Sequence, residues 1–228
     1  MKDTGSEWIS ISDLMAAVVS VVVMLLVVSI MQQAISLLNQ RLSQDQSLVT
    51  QRQIVTEMFK EMQNFLKQEN VDTMASFDYD SYRIVFREGI FEKGSAIVTD
   101  DVQDALYKSK SKVLEFLNRL PNGVIYIEGH SDNTPVKQPV INKQLYGAVY
   151  DDNYTLSAAR AREARNILLG ELPDSLANRI VVAGYGHSKP IDGLNPDNAA
   201  NRRIEIRFVL ENEEKVDSEK DVVAKNEK

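Results

Sequence analysis

Between Leu14 and Met31 the chain reads LMAAVVSVVVMLLVVSIM, with only Ser20 and Ser29 interrupting the hydrocarbon. No charged residue stands between Asp13 and Arg41. A bilayer core of about 30 Å takes about 20 apolar helical residues. The stretch from Trp8 to Met31 makes roughly 36 Å of helix. The pattern predicts a short N-terminus and a membrane-spanning helix within residues 1–31, with Trp8 as an interfacial anchor. A cleaved signal peptide is the bland alternative, but the apolar run exceeds the usual ~7–15 residues and SIMQQAIS is a poor cleavage site. Basic flanks are sparse: Lys2 stands on one side, Arg41 and Arg52 well beyond the other, and they leave orientation open.

After the span the texture changes to a polar, Gln-rich stretch without Pro or Gly, residues 32–77. Ile35, Leu38, Leu42 and Val49 follow a 3-4 spacing, Asp45 breaks it once, and Phe59, Met62 and Leu66 resume it. This predicts an amphipathic helical stalk that pairs with a twin copy or only sets distance.

From residue 78 to 210 strand and helix periods alternate. Tyr82–Phe86 alternates at period two. Gly89 and Gly94 mark turns around Phe91. Asp100–Leu120 predicts one helix, closed by Pro121 and Gly123. Val124–Ile127 predicts a buried strand, followed by Glu128-Gly129-His130-Ser131-Asp132-Asn133 and a polar insertion from Thr134 to Asp152. Asn153 predicts the cap of a helix carrying Leu156, Ala159, Ala164, Ile167 and Leu168. Arg179–Tyr185 and Asn201–Leu210 predict two more strands. The fold class is α/β: a two-layer sandwich with helices on one sheet face. Residues 211–228 are dense in charge and lack aromatics, as in a disordered tail.

Composition changes this picture in two places. The 228 residues include no Cys, which excludes disulfides, a thiolate metal site and lipid attachment through an N-terminal Cys. A net charge of -7 argues against non-specific binding of nucleic acid. His130 and His187 are the only histidines and sit in no metal-ligand spacing, so no metal or cofactor is expected. Gly129-His130-Ser131 lacks a nucleophile elbow, and Gly186-His187-Ser188-Lys189 is not a phosphate-binding loop. The chain reads as a non-enzyme.

Asp13 carries the sharpest chemistry. On a helix beginning near Trp8 it lies about 7 Å inside. A carboxyl near the hydrocarbon boundary costs on the order of 1–3 kcal/mol unless protonated, paired or hydrated. Loss of water disfavours an ionised carboxylate in general, which is the physical basis for reversible protonation at such a position. Asp13, Ala17 and Ser20 share one face, a small-residue stripe that permits close helix approach. The residues leave two readings open: an ion-carrying site, or an interfacial cap alongside Ser10 and Ser12.

Four motifs in order resemble the OmpA-like peptidoglycan-binding domain. They are Ile127–Pro135 (IEGHSDNTP), Asn153–Ala161 (NYTLSAARA), Gly184-Tyr185-Gly186 with Pro190, and Asn201–Ile206 (NRRIEI). The resemblance implies a wall-binding domain whose ligand is the diaminopimelate of the peptidoglycan stem peptide. It assigns the ligand's ammonium to Asp132 and its carboxylate to the Arg160 guanidinium fork. Asn153, Arg202 and Arg203 match the family's further binding positions. Taken singly, each residue has a plainer reading: Asp132 as a turn former, Arg160 with Arg162 and Arg165 as a solvated helix face. The insertion between Asp132 and Asn153 departs from the family pattern and could reshape the cleft rim.

The segment before the domain separates the settings in which such domains occur. Residues 1–77 are too short for a porin β-barrel, and there is no Cys for a lipoprotein. One span opening with an acid, then a stalk, then this domain is similar to the MotB-type stator subunits of ion-driven rotary motors. Asp13-Leu14-Met15-Ala16-Ala17 matches their ion-carrying segment, and Trp8–Met15 looks closest to the MotB-like subunits of the Zorya anti-phage system. That resemblance implies a homodimer of this chain, a MotA-like (ZorA-like) multi-span ring as partner and H⁺ carried by Asp13. It also implies a single pass through the bacterial inner membrane, N-terminus cytoplasmic and domain periplasmic. A flagellar stator and a passive envelope tether are the alternatives.

Overall fold

The apolar N-terminal pattern folds as helix α1, Thr4–Gln68, in a computed structural model that describes residues 4–70, 73–87, 89–91 and 94–211. Side chains of residues 4–13, 44 and 101 lie outside that description, as does the predicted tail beyond Glu211. The chain forms two units, Met1–Thr50 and Gln51–Lys228. In the first, every apolar side chain from Leu14 to Met31 is exposed. The helix is long and apolar enough to cross a membrane by length and composition. Ile35, Leu38, Leu42 and Val49 are likewise exposed.

The second unit is an α/β sandwich. Its strands are β1 (Ala75–Asp78), β2 (Arg83–Phe86), β3 (Gly123–Gly129), β4 (Ile180–Gly184) and β5 (Ile204–Leu210). They lie in the order β1-β2-β5-β3-β4, with β3 and β4 parallel and the remaining pairs antiparallel. Its helices are α2 (Asp100–Lys108), α3 (Lys110–Arg119), α4 (Lys143–Tyr146), α5 (Asn153–Leu169) and α6 (Asp174–Ala177). Alternation along β3 and β5 sends Ile125, Ile127, Ile204, Ile206 and Phe208 into one core with Phe116, Leu117 and Leu168.

Four details differ from the sequence reading, each for a physical reason. The resumed stalk stripe, Phe59, Met62 and Leu66, is buried together with Val55 in this unit's own core, so the compact unit begins at Gln51 rather than at residue 78. Phe59 meets Phe77, Tyr79, Tyr82 and Phe208 edge-on at 5.2–5.9 Å. A heptad-like stripe cannot say whether its partner is a second helix or a sheet. The strand β1 is absent from the sequence pattern: it is four residues long and, among the described residues, pairs with β2 alone. The single helix expected over Asp100–Leu120 is two, meeting at Ser109, whose buried hydroxyl donates to Ala105 O at 2.8 Å. The cap of α5 is Asp152 rather than Asn153: its carboxylate accepts from Thr155 N in a capping box.

Helix α5 seats close on β3 and β4 because both strands end in glycine. A Cβ on Gly129 would stand 2.0 Å from Ser157 O, and one on Gly184 2.5 Å from Ala158 N. This close approach fixes the height of the next turn of α5, which carries Arg160.

Candidate functional site

Past the end of β3 the chain leaves the sheet as an extended loop, each step pinned by backbone. His130 N donates to Arg203 O at 3.0 Å, Ser131 N to Gly186 O at 2.7 Å and Asn133 N to Pro196 O at 3.1 Å. Asp132 thereby stands at the edge of an open cleft of about 670 Å³, facing α5. Its carboxylate accepts from Thr134 N at 3.1 Å and pairs with Arg202.

Asn153, at the start of α5, is buried and serves the loop. Its Nδ2 donates to Asp132 O at 3.1 Å and to Thr134 O at 2.9 Å, which brackets the turn that carries the acid. One turn on, Ser157 Oγ accepts from Gly186 N at 2.9 Å. Arg160 follows, 5% exposed, on the wall of the same cleft. Its Nε donates to Ser95 O at 2.9 Å and its guanidinium lies 5.0 Å from the centre of the Phe91 ring. Among the described residues nothing hydrogen-bonds its two terminal nitrogens. Burial pushes its pKa down to about 10, with Tyr150 and Asp132 opposing and the Arg202 charge adding to the fall. It remains a cation at neutral pH.

A buried guanidinium held by one nitrogen, with its fork open to a cleft, has the donor set for a carboxylate or another planar anion. An acid on the facing edge complements a cation. The two together fit a ligand that carries both charges close to each other.

Arg202 and Arg203 part company. Arg202 is extended, so its neighbour projects the other way. Arg202 lines the cleft, while Arg203 enters a separate cavity of about 310 Å³. There Arg203 Nε donates to Glu205 at 2.6 Å, and its other nitrogens to Asn201 O and Lys189 O. Glu205 also takes Arg83 at 2.6 Å, and Arg207 pairs with Glu128 at 3.1 Å. His130 is buried beside them, stacked on Tyr185 and 3.7 Å from Glu205. Burial, then the charge of Arg203, pushes its pKa down to about 4, so it is neutral at pH 7. Of the five candidate residues in this unit, Asp132, Asn153, Arg160 and Arg202 therefore share one cleft and Arg203 does not. Asp13 lies in α1, its side chain outside the described residues.

Ser95, Phe91 and Tyr150 also shape the cleft and were not singled out by sequence reasoning. Phe91 and Ser95 flank Gly94 in a segment marked only as turns. Tyr150 lies in the insertion, where the sole hint was the unusual length. Among the described residues no three His, Asp or Glu side chains are placed to hold a metal ion.

The profile of the OmpA family matches residues 90–207. A solved structure of a MotB-like protein from Desulfovibrio vulgaris shares the fold at 20% identity, covering 69% of this chain and 94% of that one with a TM-score of 0.50. Further similar structures are the cell wall anchor of the T6SS from Pseudomonas aeruginosa, at 26% identity over 64% and 94% of the two chains with a TM-score of 0.45, and the periplasmic domain of Helicobacter pylori MotB, at 21% over 56% and 73% with 0.39. No curated protein matches the sequence.

Proposed function

Given that this chain belongs to the OmpA family, we propose that its cleft grips the diaminopimelate of a peptidoglycan stem peptide and that the chain anchors a proton-driven membrane motor to the cell wall. The observation that carries the wall-binding half is Arg160: a buried cation whose terminal nitrogens make no hydrogen bond to the described residues, across a cleft from Asp132. The end of a diaminopimelate side chain bears an ammonium and a carboxylate on one carbon. Asp132 takes the ammonium and the Arg160 fork takes the carboxylate. Asn153 holds the loop of Asp132 in place, and Arg202 holds its carboxylate.

The motor half rests on the order of parts. Helix α1, exposed and apolar from Leu14 to Met31, carries Asp13 just ahead of that stretch, four and seven positions before Ala17 and Ser20, and the chain goes on to the wall-binding unit. We read the chain as a ZorB-type, MotB-like stator subunit of a Zorya anti-phage system. It crosses the inner membrane once, with the N-terminus cytoplasmic and the domain periplasmic. Two copies sit inside a MotA-like (ZorA-like) ring. Protons pass through Asp13 of each copy, and protonation changes how the ring holds this helix. Each charge moved through ~100 mV releases about 2.3 kcal/mol, enough to drive rotation in repeated small steps. Because the dimer is fixed to the wall, the ring turns.

Asp13→Asn separates this reading from that of a passive tether. The variant should assemble normally yet lose proton flux and phage protection, measured by intracellular pH and plating efficiency. Full protection in the variant would refute the motor.

A further inference from the structure

The insertion 134–152 is fastened to the same short segment that holds Arg160. Ser95 is the hub: its carbonyl accepts from Arg160 Nε at 2.9 Å. Its hydroxyl donates to Tyr146 O at 3.0 Å and accepts from Ile97 N at 2.9 Å. Ala96 N donates to the same Tyr146 carbonyl at 2.9 Å. On the other side of Ser95, the Tyr150 hydroxyl donates to Gly94 O. Tyr150 is itself locked by a two-way backbone bridge to Val140, at 2.8 and 3.0 Å. Ala96, Ala148, Tyr150 and Leu156 form a small apolar cluster of their own beneath the insertion. Gly147 sits at φ +73°, and a Cβ there would stand 2.9 Å from Ile97. The insertion thus lies flat on residues 94–97, the backbone against which Arg160 is braced.

We propose that Tyr150 is a positioning residue for Arg160, and that the insertion thereby sets how strongly the cleft prefers a ligand with a free carboxylate. This rests on the reading that the cleft binds diaminopimelate. Tyr150 acts by holding the carbonyls of Gly94 and Ser95 in register. With the Gly94 carbonyl released, Ser95 drifts, and the Arg160 fork loses its aim. A one-bond change is sufficient because bidentate pairing depends on angle as well as distance.

The test uses the 228-residue chain in nanodiscs and two stem peptides, one with the side-chain carboxylate of diaminopimelate free and one with it amidated. Tyr150→Phe keeps the ring and removes the one hydroxyl. Its affinity for the free peptide should fall about three- to ten-fold, the size of one lost hydrogen bond. Its affinity for the amidated peptide should not change, and in an Arg160→Ala background the substitution should cost nothing further. Gly147→Ala, which presses on Ile97 without lining the cleft, should erode the same preference. A readout without ligand is the solvent exchange of the Arg160 Nε–H proton by NMR, which should quicken in Tyr150→Phe. Equal loss for both peptides, a loss that persists without Arg160, or unchanged preference and exchange would each overturn the role of Tyr150. Wild-type protein that binds neither peptide would overturn the reading of the cleft as well. Wild-type preference that survives Tyr150→Phe would overturn only the proposal.

Discussion

Two cavities flank the loop that joins β3 to α5, and they use the same residue types to opposite ends. The cleft takes Asp132, Arg160 and Arg202; the smaller cavity takes His130, Arg203 and Glu205. Adjacent arginines on one extended segment supply a cation to each. In the smaller cavity the carboxylate and guanidinium charges pair with one another: Glu205 takes two arginines and Arg203 spends its donors on Glu205 and two carbonyls, while both His130 ring nitrogens and Arg83 Nε are buried without a hydrogen bond to the described residues. In the cleft they do not all pair: Arg160 is buried yet, among the described residues, is hydrogen-bonded only through Nε. Charges paired within the protein serve the fold; a buried charge left open to a cleft and held rigid by its neighbours suits a ligand.

The sharpest way to break this comparison is to exchange the fates of the two neighbouring arginines. Arg203→Ala leaves Glu205 buried with Arg83 as its remaining ion-pair partner. It should cost about 3 kcal/mol of domain stability in urea unfolding. A stability unchanged by this variant would mean the smaller cavity does not serve the fold.

The next effect concerns pH. His130 is held below its unfolded value of 6.5, at about 4. Its neutral form is the folded one, so its contribution is complete above pH 6.5 and is lost as pH falls toward 4. The unfolded chain binds the extra proton in that window. Stability should therefore fall by on the order of 2 kcal/mol between pH 7 and pH 4.5. His130→Gln should flatten this slope, as followed by thermal unfolding across pH. The Glu205 carboxyl, pushed up by burial but pulled down further by His130, Arg203 and Arg83, titrates below its ordinary range and adds its loss at still lower pH.

The smallest effect belongs to the other arginine. Arg202 is one-third exposed on its side chain, and its pair with Asp132 is open to solvent on that side. Arg202→Ala should change stability by no more than about 1 kcal/mol. A loss as large as that of Arg203→Ala would erase the distinction between the two cavities.

How much of this was legible in the sequence depends on the range of the interaction. The motif around Asp132, the Asn153–Ala161 segment and the Asn201–Ile206 segment together named four residues that the fold brings to one cleft. The strand β3 and the helix α5 were readable because their apolar periods are strong. What escaped depends on contacts distant in sequence. Phe59, Met62 and Leu66 kept a helical period that fits a coiled coil as well as a sheet face. The break at Ser109 comes from a side-chain hydroxyl returning to the preceding turn, which leaves no mark on hydrophobic period. The cap of α5 falls one residue earlier than the pattern suggests, since Asp152 and Asn153 are both good caps and only geometry chooses. That Arg203 turns away from Arg202 follows from extended backbone, but only once the direction of one of them is known. Tyr150 was hidden in an insertion visible only as extra length.

The proposed function turns on the open fork of Arg160 acting as a carboxylate receptor. Titration calorimetry of the 228-residue chain in nanodiscs with the free and amidated stem peptides tests it most directly. The free peptide should bind, and amidation or Arg160→Ala should each weaken binding by about 100-fold, without compounding. Equal affinity for both peptides, or binding that survives Arg160→Ala, would contradict it.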